Sequence, residues 1–153
     1  MEPSIVLVAI TAVMLAARRP PAVALRWGIA AMFLLTGVAH FVGMRAELIA
    51  MVPPWAPAPG LLVTVTGVLE LLGAVGLLVS RTAHWAAAGL TALLVGMFPA
   101  NIHLALTAPD LPWHAELLPR TLMQLVFLSA TVTVVVLHTR PRREQAVPDP
   151  VAA

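Results

Sequence analysis

Hydrophobic positions in this chain gather into long unbroken runs, at about Pro3 to Ala17, Ala22 to Gly43, Gly60 to Val79, Ala83 to Leu106 and Leu117 to His138. The last four are about 20 residues or longer, and at roughly 1.5 Å per residue each can cross a hydrocarbon core of about 30 Å. The first, at about 15 residues, is short for a crossing. This pattern predicts an all-α integral membrane helical bundle, with helices at about 3–17, 22–43, 60–79, 83–106 and 117–138. It forms a single transmembrane unit over 1–140, followed by a polar, proline-rich tail at 141–153 that is expected to be disordered and cytoplasmic.

Composition agrees with lipid as the solvent: 60% of residues are hydrophobic and 10% charged, against about 25% charged in soluble domains. There are no cysteines, which excludes disulfides, thiolate metal sites and an internal dithiol relay. The sequence pI of about 11.1 suggests nucleic acid at first sight. The basic residues, however, are nine scattered arginines with no lysine, for a net charge of +2, and they form no phosphate-binding stripe.

Charge placement sets an orientation. With the N-terminus outside, Arg18, Arg19, Arg26, Arg81, Arg140, Arg142 and Arg143 fall on the cytoplasmic side, leaving Arg45 and Arg120 outside, a bias of seven against two. The first run begins "MEPS", with an acid where a signal peptide has a basic region, and its arginines follow the apolar stretch. That order fits a first helix better than a cleaved signal. Trp27 and Trp85 sit at the inner ends of spans two and four, and Trp55 and Trp113 in the two outer loops, as an interfacial belt requires. The expected address is the inner (plasma) membrane, multi-pass, with the C-terminus cytoplasmic.

The outer loop "MRAELIAMVPPWAPAPG" reads as a short surface helix over Met44 to Val52, followed by an extended, polyproline-like strap set by Pro53, Pro54, Pro57 and Pro59. Carrying Trp55, it serves either as a cover over the outer mouth of the bundle or as a rigid connector with an interfacial anchor.

Polar residues inside the spans are the candidate chemistry. Glu70 lies near the middle of span three, where a carboxylate costs about 2.5–3.5 kcal/mol on insertion scales, so it should face the bundle interior and carry a partner or a proton. Thr66, Glu70 and Gly73 share a helix face. In span four, Pro99 removes a backbone donor and frees the carbonyl of Val95, and Asn101 is placed to satisfy such groups or to meet a ligand. His103 points about 200° away from Asn101 and suits the interfacial rim. Thr36 and His40 form a stripe near the end of span two, and Arg120, Gln124 and Thr131 share a face of span five. Arg120 either snorkels to water or turns inward to neutralise Glu70. His40, Asn101, His103, Arg120 and Gln124 thus meet in the outer half, above Glu70. They form either a ligand site or a network that locks the helices together.

The segments "TGVAHF", "MVPPWAPAPGLL", "TGVLELLGAVGLLVSRT", "FPANIHLAL" and "LPRTLMQLVF", in that order, resemble the DoxX family of small bacterial membrane proteins. The resemblance covers about Trp27 to Val136. It implies a four-helix core made by spans two to five, with the N-terminal helix as an addition, and family-type polar positions at His40, Glu70, Asn101, Arg120 and Gln124. DoxX is named for an association with a thiosulfate:quinone oxidoreductase, and related proteins are linked to membrane redox complexes and oxidative stress. A more distant likeness in bundle shape connects the group to EXPERA-type proteins, including a sterol isomerase, which hold lipophilic ligands against intramembrane carboxylates.

Three functions follow. The first is a binding subunit for a lipophilic small molecule, quinone or lipid-like, at His40, Glu70, Asn101, Arg120 and Gln124, with Thr36, Thr66, His103 and Trp55 as outer members. A dissociable quinone would be its cofactor, and a membrane or peripheral redox protein its partner. The second is a stand-alone enzyme with Glu70 as general acid or base; no nucleophile with an adjacent base is visible. The third is an assembly subunit. Transport lacks the paired inverted repeats it would need. No metal is assigned, because His40 and His103 come without a motif at ligand spacing.

Overall fold

A computed structural model describes residues 2–108 and 116–139. The described residues form six helices and no strand: α1 (Glu2–Ala16), α2 (Pro21–Ala39), α3 (Arg45–Met51), α4 (Pro59–Leu78), α5 (Ala83–Thr107) and α6 (Leu117–Thr139). The five apolar runs become α1, α2, α4, α5 and α6, close to their expected limits except that α2 ends at Ala39, ahead of the expected Gly43, where the chain goes into turns. Trp113, the arginines Arg140, Arg142 and Arg143, and the tail lie outside the described residues.

Proline starts two of these helices. Pro20 holds extended backbone ahead of Pro21 in the first turn of α2, and Ala58, at φ 49°, turns the chain into Pro59 at the start of α4. A proline in the first turn sacrifices no intrahelical bond, because that N–H has no partner there. Gly43, at φ 82°, reverses the chain between α2 and α3, in a region of backbone space that glycine occupies without penalty. Pro99 lies within α5 and does not end it.

Helices α2, α4, α5 and α6 pack in a ring, each against the next and α6 back against α2; α1 lies along the outside of α2, and α3 rests on α4 and α5 at one end. The ring encloses Ile29, Met32, Phe33, Ala74, Leu77, Ala87, Leu90 and Val134, with Leu7 of α1 added from outside. Leu61, Leu72, Leu118 and Leu122 face outward and are exposed. An apolar exterior of this kind is at home in lipid, where side chains outside gain as much from the tails as from one another.

Four helices, α2, α4, α5 and α6, are long and apolar enough to cross a membrane. Helix α1 has 15 residues and spans about 22 Å, short of the roughly 30 Å hydrocarbon core. Its packing against α2 makes it an accessory to the ring.

The end of α4 remote from α3 shows how buried backbone is satisfied without water. Arg26 of α2 is buried and donates from Nε to the Leu77 carbonyl (2.7 Å) and from Nη2 to the Leu78 carbonyl (3.1 Å), with Ser80 Oγ 3.4 Å from Nη1. The Thr82 hydroxyl donates to the Gly76 carbonyl at 2.8 Å. These are the carbonyls a helix C-terminus leaves without partners, and a cation there also meets the negative end of the helix dipole.

Candidate functional site

Glu70 stands midway along α4, 3% exposed, at the seam with α2. Two glycines make that seam narrow. A Cβ on Gly67 would come within 2.6 Å of the His40 Cβ, and one on Gly37 within 2.8 Å of the Leu71 side chain and 3.3 Å of the Glu70 Cβ. Each helix therefore seats the other's side chains in a glycine gap, the close approach that small residues permit between membrane helices. Thr36 and His40, one turn apart on α2, are thereby brought to the carboxyl.

The Thr36 hydroxyl donates to Glu70 Oε2 at 2.6 Å. His40 Nδ1 lies 3.9 Å from the same oxygen and 2.9 Å from the Thr36 carbonyl. A carbonyl only accepts, so Nδ1 carries a hydrogen, and in the neutral ring Nε2 carries the lone pair. His40 is 4% exposed. Among the described residues no hydrogen bond reaches Glu70 Oε1 or His40 Nε2, and neither atom is sealed from the surface. A carboxyl and an imidazole in this arrangement can hold, give up or exchange a proton at two atoms that the protein leaves open.

Asn101, Arg120 and Gln124 form a second assembly between α5 and α6. Arg120 Nη1 donates to Asn101 Oδ1 (3.1 Å), Asn101 Nδ2 to Gln124 Oε1 (3.1 Å), and Gln124 Nε2 to the Leu94 carbonyl (2.6 Å). This ladder uses both ends of each amide. It extends to α3, where Arg120 Nη1 lies 3.9 Å from Met51 Sδ and His103 Nδ1 donates to the Met51 carbonyl at 3.2 Å. Glu47 of α3 also acts on the Arg120 charge. Glu70 is met from α2, by Thr36 and His40, while the Arg120 guanidinium lies against Asn101 and Met51.

A family model described as a domain of unknown function, DUF8561, matches residues 29–135. The chain belongs to the DUF8561 family. The DUF8561 match takes in both assemblies and leaves α1 and Arg26 outside. No curated protein and no solved structure matches the chain.

Within this DUF8561 unit several expected members stand elsewhere. The Thr66 hydroxyl bonds back to the Leu62 and Val63 carbonyls of its own helix and makes no bond to Glu70. The proline segment is no extended strap: the Ala56 amide closes a turn onto the Pro53 carbonyl at 2.9 Å. Pro53 is buried while Trp55, on the turn, is 75% exposed, so α3 and Pro53 cover the bundle end and Trp55 points away. The turn forms because a proline pair presets the backbone angles of a tight reversal as readily as those of an extended chain. Asn101, expected to serve backbone freed by Pro99 or a ligand, bonds Arg120 and Gln124, and it is Gln124 that takes a carbonyl there, that of Leu94. His103 serves the rim, through α3. The described residues contain no group of three or more metal-type side chains.

Two arginines prove to be structural partners. Arg45 donates from Nη1 to the His40 carbonyl (3.3 Å) and from Nη2 to the Gly60 carbonyl (3.2 Å) and Thr64 Oγ1 (3.0 Å), fastening α3 across the ends of α2 and α4. Arg26 does the same at the far end. Their shared signal is an arginine within a turn of an apolar run whose neighbouring helix ends at the same depth.

Proposed function

We propose that this DUF8561 protein is a DoxX-like binding subunit of the plasma (inner) membrane. It holds the polar head of a lipophilic small molecule, quinone or lipid-like, at Thr36, His40 and Glu70, as an accessory to a membrane redox complex. The observation that carries this reading is the pair of open atoms, Glu70 Oε1 and His40 Nε2, on side chains that are otherwise buried. A carboxyl at mid-membrane is expensive, and one used only to join helices would be expected to spend both oxygens on protein. The arginine distribution supports an outside N-terminus, which puts α3 and the site toward the outer face.

The ladder of Asn101, Arg120 and Gln124 favours a different role for those residues. Each of its amides has both its oxygen and its nitrogen engaged within the protein, which suits a lock between α5 and α6.

Mass spectrometry of small molecules extracted from the purified protein tests this division. A compound enriched on wild type should be lost with Glu70→Leu and kept with Asn101→Leu. Equal recovery from all three folded proteins would sink the reading.

A further inference from the structure

Resting on that reading, we infer that the Thr36–His40–Glu70 site takes the hydroxyl-bearing form of its ligand, an alcohol or a quinol, in preference to the corresponding carbonyl form. His40 Nδ1–H is committed to the Thr36 carbonyl and the Thr36 hydroxyl to Glu70 Oε2, leaving Nε2 and Oε1 to face a ligand. Among the described residues His40 is the ring that lies at ion-pair range of Glu70, with Nδ1 3.9 Å from Oε2, and a pair without net charge, which a low-dielectric slab favours, holds one shared proton.

Three distributions of that proton are available. With Glu70 neutral and its hydrogen on Oε1, Oε2 accepts from Thr36, Oε1–H donates and Nε2 accepts. With that hydrogen on Oε2, it donates to Thr36, whose own hydrogen turns to the Phe33 carbonyl at 3.4 Å, and Oε1 and Nε2 both accept. With the proton on His40, Nε2–H donates and Oε1 accepts. Each way the site offers at least one acceptor. A hydroxyl answers it by donating. A carbonyl only accepts, and it leaves that acceptor buried without a partner. Sites built to pair a ligand hydroxyl reject analogues that lack it, for this reason. The preference therefore survives proton transfer within the pair.

The test uses decyl-benzoquinol and decyl-benzoquinone as probes, the former under anaerobic reducing conditions, with binding to the protein in nanodiscs read by equilibrium dialysis. Wild type should bind the quinol about tenfold or more tightly than the quinone. In His40→Leu, which removes the open acceptor, the ratio should fall toward one while quinone binding persists. Glu70→Gln preserves a donor beside Nε2 and should keep the preference, which gives a second variant if His40→Leu does not fold. Equal binding of both probes to wild type, lost for both in Glu70→Leu, would overturn the hydroxyl preference and leave the site standing. Failure of wild type to bind either probe, or binding indifferent to Glu70→Leu and His40→Leu, would overturn both.

Discussion

The hydroxyl of Thr36 reaches across the α2–α4 seam to Glu70 Oε2 at 2.6 Å, and this bond decides which oxygen of the carboxyl remains for anything else. Thr36→Val keeps the shape of the side chain and removes the donor. It should cost about 0.6–1.7 kcal/mol of stability, the range for hydrogen bonds between membrane helices, and weaken ligand retention more than the small loss of stability explains. Thermal unfolding in detergent, paired with extraction of bound small molecules, reads both effects.

Gly67 and Gly89 are both glycines of membrane helices in very different surroundings. A Cβ at Gly67 meets His40 and Phe41, whereas one at Gly89 has nothing within 4 Å. Gly67→Val should therefore destabilise the bundle by about 1–3 kcal/mol and displace His40 from Glu70, and Gly89→Val should be close to neutral. Melting temperatures of the two variants would check the contrast, and equal losses would contradict the α2–α4 packing described here.

Gln124 carries a bond to the Leu94 carbonyl as well as one from Asn101. Gln124→Leu strands both partners and should cost about 1–3 kcal/mol. Because the two residues belong to one ladder, the double variant should lose less than the two single losses together. A double-mutant cycle on thermal stability measures that coupling.

At the opposite end, Arg26 spreads its guanidinium over two carbonyls of α4 and Ser80. A lysine has the charge without the planar fork, so Arg26→Lys should recover only part of the stability lost in Arg26→Leu. A lysine variant as stable as wild type would mean that charge alone is required.

The spans were legible in the sequence because a membrane crossing is a matter of length and continuous apolarity, and the limits of α4, α5 and α6 follow from those runs. The short helix α3 was legible too, from the break between Gly43 and the prolines. Sharing a depth is a weaker constraint than sharing a contact. His40, Glu70, Asn101, Arg120 and Gln124 agree in depth, yet they divide into two assemblies according to which helices are neighbours. That depends on the order of the ring, which no single span encodes. Thr66 lies one turn from Glu70, and its hydroxyl finds the carbonyls of its own helix first, as threonines in membrane helices commonly do. Arg26 and Arg45 read as markers of orientation because charge near a span end is expected there; the α4 carbonyls they bind, of Leu77 and Gly60, lie 51 and 15 residues further along the chain.

On the proposed function the open side of Glu70 meets a ligand. Infrared difference spectroscopy of the protein in nanodiscs, recorded with and without decyl-benzoquinol, tests it most directly by following the carboxyl of one residue. The account predicts a carboxyl band that shifts on addition of the probe in wild type and in Asn101→Leu, and that is absent in Glu70→Gln. A probe that binds without moving any band sensitive to Glu70→Gln would contradict it.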